Sequence, residues 1–321
     1  MTAPSLHDVH LARRRVASVA RPTALVASAW LSDAAGRDVR LALETQQVTH
    51  SFKIRGAVNL VAALRERGGS DVHLVTASAG NHGVALACAA ASAGVPATVF
   101  TPTNAPVTKL RAIASYGADL RAEARDYDDA EARALAYAGE HAATYVSPYN
   151  HPDIIAGAGT LGLELIDVWP ELDVVLVPVG GGGLISGIAI AIKATRPAVR
   201  IVGVEAENNP VFARSLEAGR ITHVEVRPTI ADGLSGNLEA GSLTFDIVRE
   251  LVDDMIAVGE VDLRRAIRDL VAHDHVVAEG GAVPAVAALL AGKVGVGGER
   301  VAAIVSGSNI DLDTLIEVLT A

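Results

Sequence analysis

Three short stretches of this chain carry residue types that could do chemistry on a small polar molecule. In Ser51-Phe52-Lys53-Ile54-Arg55-Gly56-Ala57, one lysine follows the apolar Val48 and Phe52 and precedes a helical pattern running to about Leu64. A lysine amine becomes a useful nucleophile and base when desolvation lowers its pKa, or when it is held as an imine. Read alone, Lys53 could equally be a solvated lysine at a helix start. Ser78-Ala79-Gly80-Asn81-His82-Gly83 lies between a strand-like run at 73–76 and an alanine-rich helix at 84–93. Gly180-Gly181-Gly182-Gly183 lies between a β-branched run at 174–179 and a helix at 184–194. Each of the latter two is a strand, a small-residue loop and a helix, which aims free backbone N–H groups and the positive end of a helix dipole at an anion. One such loop is an ordinary turn. Two of them with a lysine describe a site for a phosphate, a carboxylate and a carbonyl.

The elements that must position these residues alternate along the chain. Residues 74–76, 97–101 and 120–122 read as short strands, with helices at 84–93, 107–116 and 128–142. Further on, 174–179, 200–204 and 301–305 read as parallel strands buried on both faces. Such alternation predicts an α/β fold, a mostly parallel sheet with helices packed on it. There is no internal repeat, low-complexity tract or long linker. A dinucleotide-binding unit is excluded by spacing, since G-x-G-x-x-G needs glycine at the first, third and sixth positions. From Gly180 the sixth position is Ile185, from Gly181 it is Ser186, and from Gly182 the third is already Leu184.

Taken together, the motifs resemble the fold-type II family of pyridoxal-phosphate enzymes (tryptophan synthase β-like), and within it the serine/threonine dehydratase, or threonine ammonia-lyase, branch. The lysine motif S-F-K-x-R-G-A is matched at residues 51–57, the substrate loop S-A-G-N-H at 78–82, the glycine loop at 180–183, and S-G-x-N at Ser306-Gly307-Ser308-Asn309. Weaker matches are Ser147-Pro148-Tyr149, Ile155-Ala156-Gly157, Ala231-Asp232-Gly233 and Glu279-Gly280-Gly281-Ala282. The resemblance spans almost the whole chain in order. It implies a large cofactor-binding domain formed by 1–70 and 150–321, a small inserted substrate-loop domain at 71–149, and pyridoxal phosphate in the cleft between them.

The resemblance also implies roles. Lys53 would carry the cofactor as a Schiff base and later act as general base on the substrate Cα–H. Phe52 would lie against the ring. Gly180, Gly181, Gly182 and Gly183, with the N–H of Leu184, would cradle the phosphate. Asn81 would meet the ring hydroxyl, and Ser78, Asn81 and His82 the substrate carboxylate. Read alone, His82 would be a core histidine. Ser306 would stand beside the pyridine nitrogen, where a neutral hydroxyl favours prompt loss of a β-leaving group; Ser308 is the nearby alternative. Ala79 replaces the serine that racemases of the family carry, and alanine transfers no proton. The implied activity is β-elimination from L-threonine or L-serine. The alternatives are a cysteine synthase-type β-replacement, a 3-hydroxyaspartate dehydratase and a non-catalytic homologue. Arg55 is expected to pair locally as a structural residue.

Departures from the family pattern are His50 for glycine, Ala42 for lysine and Ala158 for glutamine. His50 would either reach the cleft and tune the substrate side-chain pocket or point to solvent. A cation site seen in some relatives would use Glu205, but Val211 stands where a second acidic ligand is expected, so no metal is expected. No C-terminal regulatory domain is expected after the Ser306 motif.

Composition narrows the partners. Apolar residues make up 50% and aromatics only 3%, so the core should be small-residue helices on aliphatic strands. A net charge of −10, with no basic run longer than Arg13-Arg14-Arg15, argues against nucleic acid. The single cysteine, Cys88, excludes an intrachain disulfide and reads as a buried small residue. Residues 174–192 are uncharged, but Pro178 and four glycines make them strand, loop and helix rather than a membrane span. The N-terminus lacks an apolar signal core. The expectation is a cytoplasmic enzyme acting on a small amino acid, with no membrane partner, and a homodimer by resemblance.

Overall fold

The computed structural model describes residues 2–68, 72–295 and 299–321. Two sheets organise it. The larger has six strands in the order β1-β2-β10-β7-β8-β9: β1 (Ala24–Ala27), β2 (Asp38–Leu43), β7 (Val174–Pro178), β8 (Arg200–Ala206), β9 (Asp254–Val258) and β10 (Arg300–Val305). Only β1 is antiparallel to its neighbour. The smaller sheet is parallel throughout, in the order β5-β4-β3-β6: β3 (Leu74–Ala77), β4 (Ala97–Pro102), β5 (Asp119–Ala124) and β6 (Thr144–Tyr145). This is the mostly parallel α/β architecture expected. The sequence reading passed over β1, β2, β6 and β9; β6 has two residues and β1 four, too short to show a period. Of the expected domain boundaries, that at 70–71 lies outside the described residues, and that at 149–150 falls between β6 and the helix Pro152–Val168.

Every residue of β7 is buried, and β10 is buried from its second residue on. Each fully buried aliphatic side chain there contributes about 1.5–3 kcal/mol. The chain leaves β7 through the glycine loop into the helix Gly183–Thr195, itself buried from Gly183 to Ile192. The apolar run at 174–192 is thus strand, loop and helix, and among the described residues no helix is long and apolar enough to cross a membrane.

Two helices begin earlier than the apolar pattern suggested. The lysine helix is Lys53–Glu66 and the helix after the substrate loop is Asn81–Ala93. Lys53, Asn81 and His82 therefore sit in first turns rather than in loops. Of the three N-terminal arginines, on the helix Leu6–Val16, Arg13 and Arg14 are exposed. Arg15 instead bonds Glu66 and Asn59 on the lysine helix. Cys88 is free and buried.

Arg55 is structural, but its partners are distant in sequence. It is fully buried and donates to Glu44 at 2.7 Å and Glu164 at 2.8 Å, and to Thr160 and Thr23. Burial alone would pull its pKa down; the two carboxylates outweigh that and hold it above its ordinary value. The network ties the lysine helix to the chain after β2 and to the helix Pro152–Val168.

Candidate active site

A cavity of about 810 Å³ opens between the two sheets, a size suited to a cofactor with a small substrate. Phe52, Lys53, Ser78, Asn81, His82, all four loop glycines, Leu184 and Ser306 line it. Every residue given a first-choice place at the cofactor or substrate therefore faces one space. Ser308 does not; its hydroxyl donates to the Thr45 carbonyl at 3.3 Å.

Lys53 and Ser306 meet because their backbones pair. Phe52 N–H donates to Ser306 O at 3.0 Å, Ser51 bridges Gly307, and Ser308 N–H donates to His50 O at 2.9 Å. This sets the first residue of the lysine helix against the end of β10. The Lys53 amine donates to the Pro148 carbonyl at 2.8 Å. Burial lowers its pKa to about 8, with Glu279 pulling the other way.

The substrate loop is held from the large-sheet side. Asn81 Nδ2 donates to Glu279 Oε1 at 2.5 Å, and Asn309 Nδ2 donates to Asn81 Oδ1 at 2.6 Å. Burial raises the Glu279 carboxyl to about 7 against the Asn81 hydrogen bond, which lowers it. His82 is almost fully buried, with Nε2 3.3 Å from the Val146 carbonyl. A carbonyl only accepts, so this nitrogen carries the hydrogen. Burial, then the Lys53 charge, push the imidazole down to about 3. His82 is therefore neutral and brings no positive charge to a carboxylate.

The glycine loop is made for close approach. Gly182 has φ +83° and caps the following helix, and a Cβ on it would come within 2.4 Å of the Phe212 ring. A Cβ on Gly181 would come equally close to Tyr149. A side chain at either position collides with the protein itself, so the loop presents bare backbone to the cavity. First-turn N–H groups of a helix have no helical acceptor. Bare backbone at that end suits a phosphate; the half-buried amine, its pKa lowered, suits an aldehyde. The residues present fit pyridoxal phosphate.

Sequence reasoning missed several residues of the cavity wall: Glu279, Tyr149, Glu239, Glu131 and the Lys109–Asp232 pair. Glu279, Tyr149 and Asp232 lay inside motifs already singled out, yet motif membership assigned them no role. Glu131 and Glu239 stand among ordinary surface acids and give no signal in sequence. Glu205 accepts from the N–H groups of Phe212 and Ala213 at 2.7 and 2.9 Å, capping the helix Val211–Ala218. Among the described residues no group of three or more His, Cys, Asp or Glu could hold a metal ion.

Two mostly parallel sheets with a half-buried lysine and a glycine-capped helix start between them define a cofactor-dependent enzyme of the fold-type II class. The family model described as pyridoxal-phosphate dependent enzyme matches residues 16–307. The chain belongs to that family, and its cofactor is pyridoxal 5′-phosphate. Its sequence is 42% identical to the L-threonine ammonia-lyase of Thermotoga maritima over 98% of this chain and 78% of that protein. Its structure is similar to the threonine deaminase of T.th. (TM-score 0.90, 37% identity, covering 96% of this chain and 99% of that one). It is also similar to maize serine racemase (TM-score 0.91, 34% identity, covering 99% and 97%).

Proposed function

We propose that this enzyme is an ammonia-lyase that eliminates the β-hydroxyl of a small hydroxy amino acid, L-threonine or L-serine, giving a 2-oxo acid and ammonium. The observation that carries the reading is the Lys53 amine, half-buried at the cavity wall, held by one carbonyl and lowered to about 8. It stands between two helix N-termini, each suited to an anion. Relatives named as threonine ammonia-lyase and threonine deaminase, 42% and 37% identical, support the substrate class.

Gly180, Gly181, Gly182, Gly183 and Leu184 would hold the cofactor phosphate, and Phe52, Asn81 and Ser306 its ring. Bound there, pyridoxal phosphate supplies an electron sink for the pair left at Cα when its proton is removed. Ser78 and the first-turn N–H groups of the helix Asn81–Ala93 would bind the substrate carboxylate, with neutral His82 filling the space behind. Lys53 Nζ takes the Cα proton; an amine with a pKa near 8 is a competent base near neutrality. The β-hydroxyl departs as water, taking up one proton to balance the one Lys53 removes from Cα, and the released enamine regains one water while losing ammonium. The two sheets would act as separate domains, and their approach would exclude water from the site. The Lys109–Asp232 pair at 2.9 Å and the Thr108–Asp311 contact already join them.

Incubation with L-threonine, L-serine, and O-acetylserine plus sulfide tests the reaction. A 2-oxo acid should form from the first two; product in the third case alone would reverse the assignment to β-replacement. Ala79 lines the cavity without a transferable proton, so little D-serine should form. Ala79→Ser should raise D-serine formation at least tenfold.

A further inference from the structure

The strip from Tyr145 to Tyr149 ties the lysine to two carboxylates across the cavity. The Pro148 carbonyl holds Lys53. On one side of it, Ser147 donates to Glu239 Oε1 at 2.5 Å; on the other, the Tyr149 hydroxyl accepts from the Glu239 N–H at 2.7 Å. Asn150 Nδ2 donates to the second Glu239 oxygen at 2.7 Å. At the start of the strip, Tyr145 donates to Glu131 at 2.7 Å. Both glutamates line the cavity, with the exposed Asp128 at its mouth. Among the described residues, neither glutamate is paired with a cation.

The positive groups are accounted for elsewhere. Lys109 is paired with Asp232, Lys53 belongs to the cofactor, His82 is neutral, and His223 is exposed at the rim. Among the described residues that line the cavity there is no arginine. The phenols of the strip feel this imbalance. Burial first, then the hydrogen bond to Glu131, keep Tyr145 protonated far above its usual range; burial and the Glu239 charge do the same for Tyr149. Burial disfavours a charge of either sign, and the Glu131 and Glu239 charges add to that cost only for an anion.

With the phosphate and carboxylate positions taken by the two helix starts, the substrate side chain is left facing this wall. We propose that Glu131 and Glu239 form a specificity wall that excludes amino acids with an anionic side chain, such as 3-hydroxyaspartate, and admits neutral or cationic ones. The inference rests on the reading of the cavity as an amino-acid site. Ser147 and Asn150 hold both oxygens of Glu239, so that carboxylate cannot turn away to admit an anion without breaking those bonds.

Calorimetric titration of the cofactor-loaded protein with unreactive amino acids tests it without turnover. L-asparagine and L-aspartate have the same shape and differ by one charge. Asparagine should bind at least tenfold more tightly, and L-2,4-diaminobutyrate at least as tightly as asparagine. In Glu131→Gln the asparagine preference should fall at least threefold. In Tyr145→Phe, which keeps the charge, it should stay within twofold. Wild-type ratios within twofold, or an unchanged ratio in Glu131→Gln, would overturn the proposal. An equal fall in Tyr145→Phe would assign the effect to packing, also against it. Binding of L-2-aminobutyrate but of none of the three larger ligands would mean selection by size and defeat the wall alone. Binding of none of the four would defeat the amino-acid site itself.

Discussion

On the six-stranded sheet the cavity is made largely of backbone. Four glycines, a helix start and the end of β10 face it, and the elements behind them are buried almost throughout. On the four-stranded sheet, beyond the loop at 78–83, it is made of side chains: Tyr127, Glu131 and Tyr149, on elements that are only partly buried. Backbone N–H groups recognise what every substrate of the enzyme shares, a phosphate-bearing cofactor; side chains recognise what distinguishes one substrate from another. The division predicts that damage to the first half destroys cofactor binding and stability together. Damage to the second changes preference and leaves the fold standing.

Lys53 lies where the halves meet and carries the largest effect. Lys53→Ala should lower 2-oxo acid formation from L-threonine by about 10²–10⁴-fold, the range for loss of a positioned base, and alter the visible absorbance of the loaded protein. Its lowered pKa gives a second readout. A neutral amine attacks an aldehyde and a protonated one does not, so capture rises with pH through the folded-state pKa. In the unloaded protein the midpoint should lie near 8 rather than 10.5. A midpoint above 10 would mean the amine is solvated.

The backbone half depends on a buried ion network far from the substrate. Arg55→Ala leaves Glu44 fully buried without its cation, and removing one partner of such a pair costs about 3–5 kcal/mol. Denaturant unfolding should show that loss with the cofactor absent. Gly182→Ala is milder. It combines a positive φ with a Cβ 2.4 Å from Phe212, and should cost about 1–3 kcal/mol. Weaker cofactor binding should accompany it, since the loop must shift. A Gly182→Ala protein with unchanged melting and cofactor affinity would show that the loop does not need bare backbone.

The contrast between the halves also explains what could be read from sequence. The backbone half was legible because its chemistry needs rare patterns: four consecutive glycines after a β-branched run, a lysine after an apolar pair, Ser306-Gly307 closing a buried strand. The side-chain half was not. Glu131, and Glu239 from the chain between β8 and β9 of the larger sheet, are two acids among the 37 acidic residues of the chain, and only the fold turns them toward the cavity. Lys53, Asn81 and His82 line the cavity as expected but stand one structural step off, because the helices extend past the apolar pattern that marked them. Arg55 was read as structural, but its partners, 11 and 109 residues away, could not be deduced.

His50 gives the smallest effect and separates backbone from side chain at a single position. It is three residues from Lys53 and stands where the family has glycine, so its side chain could have belonged to the substrate pocket. The structure places it differently: the side chain is exposed and absent from the cavity wall, and the backbone has φ +57°. Its carbonyl accepts from Ser308 N–H, part of the pairing that seats Lys53 against β10. The position thus requires a left-handed backbone, which costs an L-residue about 1–2 kcal/mol and glycine little. His50→Gly should therefore stabilise the protein, by about 1 kcal/mol or less after the greater freedom of glycine in the unfolded chain is subtracted. The ratios of kcat/KM for threonine, serine and 3-hydroxyaspartate should stay within twofold. A tenfold shift in any ratio would put the imidazole in the pocket after all, and would extend the side-chain half of the site across to the lysine.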